Sequence, residues 1–517
     1  MQLAKTYCVS LIGLTGTIIE VEADISANLP GFTLVGLPDA SLSEATARVR
    51  AATANSKSPL PNRKVTVNLS PAAVPKFGSI FDLAIAVAAL AAAGKIQDQS
   101  IASTVYLGEL GLDGSVRAVN GVLPAVLAAK RNGFQKVIVP QENLNEATLV
   151  NDINCVGVKH LTQVLRMHGL ETDEIRVSDR EKPTEPTQAR REMDIADIQG
   201  QDSAVEALVI AAAGGHHLLM VGPPGVGKTM IAERLPSILP DLTLEQSLET
   251  TAVHSVSRTR GLVGANLITR PPFEAPHHTS SATALVGGGV GVPTPGIISM
   301  AHNGILFLDE APEFQSPALE SLRQSLESGQ VTIARSIGVA RFPAQFQLVM
   351  AANPCPCGLS MSPNRSCVCT ASAKLRYLNR LSGPLLDRVD IRLRVNSLNQ
   401  AQLKLAQNQG GRPTSAELKE RVVNARGVLS SRLSKIGYSV VSHVPPNLLR
   451  TTLRPSKQVT AALDSALQRG LVSMRGYDRC LRVGLTIAAL DGRDELTPSD
   501  LDQSFLLRGS DSLVSAA

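Results

Sequence analysis

Gly222-Pro-Pro-Gly-Val-Gly-Lys-Thr229 is the stretch that decides the fold of the central part of this chain. It matches the pattern G-x-x-x-x-G-K-[ST], a loop whose backbone N–H groups surround a phosphate chain. The apolar run His217–Val221 before it predicts a buried strand, and Met230–Leu235 after it predicts a helix. This order points the positive end of the helix at the phosphates. The residues predicted to bind ATP are Gly222, Pro223, Pro224, Gly225, Val226, Gly227, Lys228, Thr229 and Met230.

A second motif, Ile305-Leu-Phe-Leu-Asp-Glu310, is a short apolar run that ends in two carboxylates. Such a run is typical of a buried strand that places acids at its tip. We expect Lys228 to contact the β- and γ-phosphates, Thr229 to bind Mg²⁺, and Asp309 to hold the same ion through water. Glu310 would orient and polarise the attacking water. The two motifs together predict hydrolysis of ATP with Mg²⁺ as cofactor.

The composition limits the class of protein. The chain has 517 residues, of which 44% are hydrophobic and 18% charged, enough for roughly three globular domains. Aromatic residues make up 3%, so base stacking is not expected to dominate any binding of nucleic acid. The net charge of +5 permits a polyanionic partner without requiring one. The longest apolar run, Leu83–Ala93, is about half of the ~20 residues that a bilayer needs, and no signal peptide is indicated, so we expect a cytoplasmic protein.

Sequence patterns divide the chain into four parts and predict a multidomain α/β protein. Residues 1–168 alternate strand-like and helix-like segments, and residues 169–193 are mostly charged residues with Thr and Pro, which predicts a solvated linker. Residues 194–396 hold the nucleotide motifs in an α/β pattern, and residues 397–517 are predicted to be helical. The predicted helices of this last part are Ser415–Leu433, Ser456–Arg469, Arg475–Leu490 and one that follows Thr497-Pro498.

Further segments resemble those of AAA+ ATPases. Residues 194–201 resemble the segment that packs against adenine, and Met-Ala-Ala-Asn-Pro around Asn353 resembles sensor 1, which detects the γ-phosphate. Leu381–Asp390 resembles the arginine-finger segment of the magnesium-chelatase and replicative-helicase branch, in which Arg388 would reach the ATP of a neighbouring subunit. Arg475, at the start of a helix, resembles the sensor-2 arginine of the lid. The resemblance thus implies catalytic roles for Lys228, Glu310, Asn353, Arg388 and Arg475.

The resemblance extends over essentially the whole chain. Glu274-Ala-Pro-His-His-Thr279, Leu285-Val-Gly-Gly-Gly289 and Pro295-Gly-Ile-Ile-Ser-Met-Ala-His-Asn-Gly304, together with an amino-terminal domain, resemble the YifB/ComM family of bacterial magnesium-chelatase-like proteins. This implies a ring-shaped homo-oligomer, expected to be a hexamer, that uses ATP for branch migration of single-stranded or branched DNA in natural transformation and recombination. The alternatives are a magnesium-chelatase-type motor subunit and a protein-remodelling AAA+ chaperone.

The pair His277-His278 within this resemblance has two interpretations. It could ligate a metal, or it could belong to a loop packed near the ring interface. Because neighbouring residues do not share a helix face, one metal is not expected to bind both, and the pair stays unassigned.

The amino-terminal part resembles the proteolytic domain of the Lon protease, a fold of the ribosomal S5 domain 2 type. The segments that carry this resemblance are Val74–Asp82, Gly108–Gly114 and Val137–Asn143. Alignment puts Ile80 at the nucleophile position and Leu123 at the catalytic lysine position, while Ser79 is one residue away from the former. A Ser–Lys pair needs both groups. We therefore expect a Lon-like scaffold without peptidase activity, with a role in assembly or DNA contact.

Four of the seven cysteines are grouped. Cys355-Pro-Cys357 and Cys367-Val-Cys369 form two C-x-C pairs separated by nine residues, which is enough for a loop to turn back. Four thiolates can enclose a tetrahedral Zn²⁺. The alternative is four free thiols in a loop, since disulfides are disfavoured in a reducing cytosol.

A β-hairpin is predicted just before sensor 1. Gly329–Arg335 and Val339–Phe346 flank a turn that contains glycine. In the AAA+ branch that the chain resembles, such a hairpin projects into the central pore. Arg335 and Arg341 are therefore candidate contacts with DNA phosphates, which would give salt-dependent binding without sequence preference. A solvated hairpin without this role is the alternative.

Overall fold

The computed structural model describes residues 3–508 except 28, 38, 97–98, 100, 173–192, 258–265, 290, 336–337, 362–365, 400, 403 and 405–410. The predicted linker, residues 169–193, therefore lies mostly outside the described residues. The strands and helices below are numbered along the described chain.

A seven-stranded mixed sheet organises the amino-terminal part, in the order β3-β4-β2-β1-β5-β8-β9. Helices α2 and α3 pack on β1 and β2, and every residue of the Ala-rich α2 is buried. The strands are β1 Ala4–Ile12, β2 Thr15–Ser26, β3 Gly31–Val35, β4 Lys64–Ser70, β5 Thr104–Tyr106, β6 Glu109–Leu110, β7 Val116–Arg117, β8 Lys136–Pro140 and β9 Asn154–Val158. The helices are α1 Asp39–Asn55, α2 Asp82–Ala92, α3 Val122–Arg131, α4 Leu144–Ala147 and α5 Leu161–Met167.

The central part contains a parallel five-stranded sheet, in the order β11-β14-β17-β10-β18. Its strands and the two hairpins beside it are β10 Leu218–Val221, β11 Phe273–Glu274, β12 Gly287–Gly288, β13 Thr294–Pro295, β14 Ile305–Leu308, β15 Gln330–Arg335, β16 Gly338–Pro343, β17 Gln347–Ala352 and β18 Ile391–Arg394. The helices are α6 Asp202–Gly214, α7 Lys228–Ile238, α8 Leu244–Ser255, α9 Ala282–Val286, α10 Ile297–Met300, α11 Ser316–Ser328, α12 Ala371–Leu378 and α13 Gly383–Leu386.

The register of this sheet positions the nucleotide motifs. Strands β10, β14 and β17 are buried along their whole length, as continuous apolar runs of a covered parallel sheet should be. Val221 pairs with Ala352, and Leu308 pairs with Met350. Because the carboxyl ends of parallel strands meet at one edge, the residues that follow these strands are brought together there.

Helices form the carboxyl-terminal part of the described chain. They are α14 Ser415–Leu433, α15 Pro446–Arg450, α16 Lys457–Gln468, α17 Met474–Leu490 and α18 Pro498–Arg508. The hydroxyl of Thr414 accepts from the N–H of Glu417 while the Glu417 carboxylate accepts from the N–H of Thr414, which fixes the start of α14. Helices α14 and α17 pack on α6 and share its hydrophobic core. The helical part is thus anchored on the nucleotide-binding sheet.

The amino-terminal part contacts helix α8 and the hairpin β15–β16 of the central part. Ala252 of α8 belongs to the amino-terminal hydrophobic core, and the N–H of Gly121 donates to the carbonyl of Ser255 at 3.0 Å. The β1–β2 turn approaches β16 so closely that a Cβ added at Gly13 would lie 2.8 Å from the carbonyl oxygen of Arg341. The amino-terminal sheet therefore rests on the hairpin β15–β16.

None of the described helices is both long enough and apolar enough to cross a membrane.

Candidate nucleotide site and its surroundings

The phosphate loop joins β10 to α7, as the sequence predicts. Gly225 and Gly227 have φ values of 80° and 88°, a left-handed conformation that costs glycine little. Gly222 packs so tightly that an added Cβ would lie 2.2 Å from the carbonyl oxygen of Val395. Helix α7 begins at Lys228, so its free N–H groups face the concave loop. This geometry supports the predicted phosphate loop.

Lys228 lies in the centre of the loop and is only 8% exposed. Its ammonium donates to the carbonyl oxygens of Gly222 and Pro223 at 2.7 and 2.9 Å and to Oδ1 of Asn353 at 3.1 Å. Burial lowers the pKa of Lys228, and the charges of Asp309 and Glu310 oppose that shift. The fold thus brings the predicted sensor-1 residue against the loop lysine.

Thr229 and Asp309, whose side-chain oxygens could bind a metal ion, face each other beside this lysine. The hydroxyl of Thr229 donates to Oδ2 of Asp309 at 2.6 Å. Hydroxyl and carboxylate oxygens are groups that Mg²⁺ prefers, and this contact puts them side by side where Thr229 would bind the ion directly and Asp309 would hold it through water. The two residues fit the predicted magnesium site.

Glu310 follows Asp309 with a φ of 49°, which is uncommon for a residue other than glycine. Its N–H donates to Oδ1 of Asp309 at 2.9 Å, and its carbonyl accepts from the N–H of Glu313 at 2.7 Å. The side chain is 49% exposed. The backbone of Glu310 is therefore held at both sides while its carboxylate remains accessible to water.

His278 is the residue of this site that the sequence left unassigned. Its Nδ1 lies 3.3 Å from Oε2 of Glu310, and its ring lies against that of His277 with 4.2 Å between the ring centroids. Residues 275–280 form a loop and turn, so the rings of His277 and His278 can lie side by side. The motif Ala-Pro-His-His-Thr was visible in the sequence, but the approach of its histidine to Glu310 was not.

Arg388, of the predicted arginine-finger segment, and Arg475, the predicted sensor-2 arginine, each pair with a different carboxylate, and neither is among the hydrogen-bond partners of Lys228. Arg388 forms an ion pair with Glu327 and donates to the carbonyl of Pro384 at 2.9 Å. Arg475 forms an ion pair with Asp387 at 2.9 Å, and its side chain is 70% exposed. Burial lowers the pKa of Arg388, and the neighbouring cation Arg475 contributes in the same direction. The sequence offered no signal for Glu327 as the partner of Arg388.

A buried carboxylate lies behind these arginines. Asp390 is 1% exposed and pairs with Arg479 of α17 at 2.7 Å, and it also accepts from the N–H of His217 at 3.2 Å. The pKa of Asp390 is well below its usual range because Arg479 and the nearby histidines outweigh the effect of burial. This ion pair joins the first turns of α17 to the predicted arginine-finger segment.

The four grouped cysteines converge in the structure. The Sγ–Sγ distances are 3.4 Å for Cys355–Cys357, 3.7 Å for Cys355–Cys367 and 3.6 Å for Cys357–Cys367. The ligand atoms of all four, including Cys369, lie within 4.8 Å of one another. A tetrahedron with Zn–S bonds of 2.3 Å has S–S edges of about 3.8 Å. The set fits a tetrahedral ion.

This cysteine loop lies directly on the phosphate loop. Gly358 has a φ of 77°, and a Cβ added there would lie 2.7 Å from Cδ of Pro224 and 4.0 Å from Cγ of Asn353. The cysteine loop is therefore in contact with the predicted phosphate loop.

The predicted hairpin before sensor 1 is present as β15 and β16. Arg335 and Arg341 are both exposed. The guanidinium of Arg335 lies near Gly288, where an added Cβ would be 3.5 Å from Nη2. The residues between the strands, 336–337, lie outside the described residues.

The Lon-like segment shows separate partners for its serine and its nearest lysine. The hydroxyl of Ser79 donates to the carboxylate of Glu109. Lys76 is 2% exposed and donates to the carbonyl oxygens of Pro71 and Val74 at 2.6 and 2.9 Å. Leu123, at the aligned lysine position, is fully buried. Ser79 and Lys76 therefore have different hydrogen-bond partners, and the absence of peptidase activity stays a prediction.

Comparison with known proteins gives matches along most of the chain. Family models match residues 194–403, described as "Magnesium chelatase, subunit ChlI", residues 21–143, described as "Subunit ChlI of Mg-chelatase", and residues 412–508, the carboxyl-terminal part of that subunit. Competence protein ComM of Haemophilus influenzae is 40% identical over 96% of this chain and 95% of its own. YifB of Escherichia coli is 38% identical over 99% and 98%, and an uncharacterized protein of Mycobacterium tuberculosis is 48% identical over 95% and 96%.

Likeness to the Lon protease is narrower. Lon protease 2 of Bacillus subtilis is 29% identical over 139 residues, which are 26% of this chain and 25% of that protein. The match supports a partial likeness of the amino-terminal part and extends no further.

Proposed function

Because this chain belongs to the YifB/ComM family of magnesium-chelatase-like AAA+ proteins, we propose that it is an ATP-driven ring motor that acts on DNA. One observation carries the ATPase part of this proposal. Groups from three strand ends meet at one sheet edge, with Lys228 on Asn353 and Thr229 on Asp309. Cation, oxygen donors and an accessible carboxylate are the parts that phosphoryl transfer needs.

Each residue at this edge of the sheet would have its own role in ATP hydrolysis. Lys228 would exchange its loop carbonyl partners for the β- and γ-phosphates, and Asn353 would contact the γ-phosphate. Thr229 and Asp309 would hold Mg²⁺, which neutralises phosphate charge when bound. Glu310 would accept a hydrogen bond from the attacking water and then accept its proton as a general base.

We place the second half of the site on a neighbouring copy of the chain. Arg388 pairs with Glu327, and it is not among the hydrogen-bond partners of Lys228 in its own chain. An arginine supplied by another subunit links hydrolysis to assembly. This supports a ring of identical subunits, expected to be a hexamer, in which Arg388 stabilises charge on the neighbour's ATP.

The DNA part of the proposal rests on the hairpin and on the relatives. Arg335 and Arg341 are exposed on β15 and β16, and one full-length relative is named as a competence protein. Guanidinium groups bind phosphates without reading sequence. The amino-terminal sheet packs against this hairpin through Gly13, which supports a role for residues 1–168 in positioning it.

A magnesium-chelatase motor subunit is the second candidate, and the family descriptions favour it. The model that matches residues 21–143 also carries the chelatase name, so the amino-terminal part does not argue against this candidate. Near-complete coverage of ComM and YifB is the reason to prefer a DNA motor.

The ATPase rate of the full chain, with and without single-stranded or branched DNA, separates these functions. We expect stimulation by DNA that weakens as salt increases. A rate that DNA leaves unchanged, with no retention of DNA at low salt, would contradict the DNA motor. Stimulation by a tetrapyrrole–chelatase partner would then favour the second candidate.

Glu310→Gln tests the role given to the catalytic carboxylate. The variant should bind ATP and assemble, and its kcat should fall by about a hundredfold or more because the amide cannot accept the proton. Glu313→Gln, three residues further on, is the matched control and should retain turnover. Normal hydrolysis by Glu310→Gln would refute the assignment.

We further propose that Cys355, Cys357, Cys367 and Cys369 hold a structural Zn²⁺. Four thiolates leave no open position for substrate, so the ion would have a stabilising role. Its place on Pro224 suggests that it supports the phosphate loop. Elemental analysis of purified protein should find about one zinc per chain, and Cys367→Ser with Cys369→Ser should lose it. Cys155→Ser is the control, since that thiol lies in β9, and zinc-free wild-type protein would contradict this site.

A further inference from the structure

We propose that a cavity between the amino-terminal part and the central part of the chain binds an alkylammonium group, with the Glu109 carboxylate as its counter-charge. The cavity has a volume of about 270 Å³. This volume lies just below the usual range of small-molecule pockets, so it suits a ligand with one short chain. The proposal does not depend on the ATPase function proposed above.

Both parts of the chain contribute walls to this cavity. On the amino-terminal side the walls are Val9 and Leu11 of β1 and Phe77 of the loop before α2. On the central side they are Val256, which follows α8, and residues 292–294, which lead into β13. These apolar side chains can cover the carbon atoms of a ligand. A molecule bound here would contact both parts of the chain at once.

The charge of the wall favours a cation. Among the described residues, Glu109 is the only ionisable one that lines the cavity. Its neighbour Asp82 is 1% exposed and is matched by Arg48, which donates to both carboxylate oxygens at 2.6 and 3.2 Å. Arg117 lies opposite Glu109 in the β6–β7 pair but is exposed, and within the described part of the chain no cation forms an ion pair with Glu109. A half-buried carboxylate without a paired cation is stabilised by a positively charged ligand.

The hydroxyl groups of the wall point to the same class of ligand. The hydroxyl of Ser79 donates to the Glu109 carboxylate, and those of Ser10 and Thr294 donate to backbone carbonyls at 2.7 and 2.9 Å. Each hydroxyl proton is thus used within the protein, so these oxygens can only accept from a ligand. The exposed amide of Asn120 can turn its oxygen towards the same ligand. A group with several N–H donors and no acceptor, such as an ammonium ion, fits this wall.

The test measures, by titration calorimetry on the full chain, the binding of probes that share a pentyl chain and differ in charge. We expect n-pentylammonium to bind at least about tenfold more tightly than neutral 1-pentanol or negatively charged pentanoate, because only the cation forms a charge-assisted hydrogen bond. Equal affinity for the probes, or no binding of n-pentylammonium, would overturn the proposal.

Glu109→Gln tests the counter-charge, because it keeps the shape of the side chain and removes its charge. Its affinity for n-pentylammonium should fall by about tenfold to a hundredfold, the scale of a hydrogen bond to a charged group. Glu142→Gln, an exposed glutamate outside the cavity, is the matched control and should bind like the wild type. A folded Glu109→Gln protein with the affinity of the wild type would refute the site.

Val292→Phe tests the location, because a larger side chain fills the cavity from the central side without a change of charge. It should weaken the binding of n-pentylammonium, and unchanged affinity would place the ligand elsewhere and contradict the proposal. This variant and the comparison of probes on the wild type decide the question even where Glu109→Gln fails to fold.

The ammonium group has two possible sources, a free amine and a lysine side chain of a polypeptide. Nα-acetyl-lysine amide distinguishes them. Tighter binding than that of n-pentylammonium would support the ammonium site and identify a lysine side chain as its ligand. Weaker binding, with n-pentylammonium still preferred over 1-pentanol, would support the site and identify a free amine.

Discussion

Two buried lysines, Lys76 in the amino-terminal part and Lys228 in the central part, have nearly the same immediate surroundings. Each donates to two backbone carbonyls of a proline-containing loop, Lys76 at 2.6 and 2.9 Å and Lys228 at 2.7 and 2.9 Å. Burial lowers the pKa of both. They differ in their side-chain neighbours, since Asn353, Asp309 and Glu310 surround Lys228.

The side-chain neighbours distinguish a structural lysine from a functional one. Carbonyl contacts and burial satisfy either ammonium and assign no chemistry. A functional lysine also has carboxylates and an amide that converge on a space where a ligand can enter. Lys76 instead completes the loop before α2, while Ser79 is engaged by Glu109. The amino-terminal part retains a scaffold around Lys76, and the central part forms a candidate nucleotide site around Lys228.

The largest expected effect lies at the boundary between subunits. Arg388→Ala should lower kcat by about a thousandfold or more with ATP binding retained, because an arginine finger stabilises charge only in the transition state. Mixing this variant with Lys228→Ala subunits should restore part of the activity, since some sites then contain both residues. Arg380→Ala, which removes an exposed pair with Glu313, is the control. Loss of ATP binding in Arg388→Ala would place this arginine in its own subunit's site.

The next largest effect on activity is expected at Lys228, the functional lysine of the pair. Lys228→Ala should reduce kcat/KM by at least about a hundredfold, because the phosphates lose their central cation. Its thermal unfolding should stay close to that of the wild type, since the two loop carbonyls can be hydrated. ATPase assays and calorimetry on one preparation check both statements. Full activity in this variant would remove the basis for the site.

The smallest effect on activity belongs to Lys76. Lys76→Met keeps the length of the side chain and leaves the buried carbonyls of Pro71 and Val74 without a donor. The free energy of unfolding should fall by about 1–3 kcal/mol, while the ATPase rate of the folded protein stays within about twofold. Denaturant unfolding and ATPase assays measure the two quantities. A loss of turnover without a loss of stability would show that the two lysines are functionally alike.

Local sequence order predicted much of this architecture. The phosphate loop lies between a strand and a helix, the carboxylates end a buried strand, and the helices after Ser415 begin and end close to the predicted residues. These features depend on hydrophobic periodicity and on glycine, which act over a few residues. The loop, Asp309 and Asn353 converge because β10, β14 and β17 are parallel and their carboxyl ends meet at one edge of the sheet.

The amino-acid sequence alone indicated the nucleotide, the family and the order of the elements, because motifs of a few adjacent residues carry that information. Only the tertiary structure decided that His278 meets Glu310, that Arg388 rests on Glu327, and that the cysteine loop lies on Pro224. Each of these contacts joins segments that are far apart along the chain. Their distances are set by how helices and strands pack, and no local pattern of residue types encodes that packing.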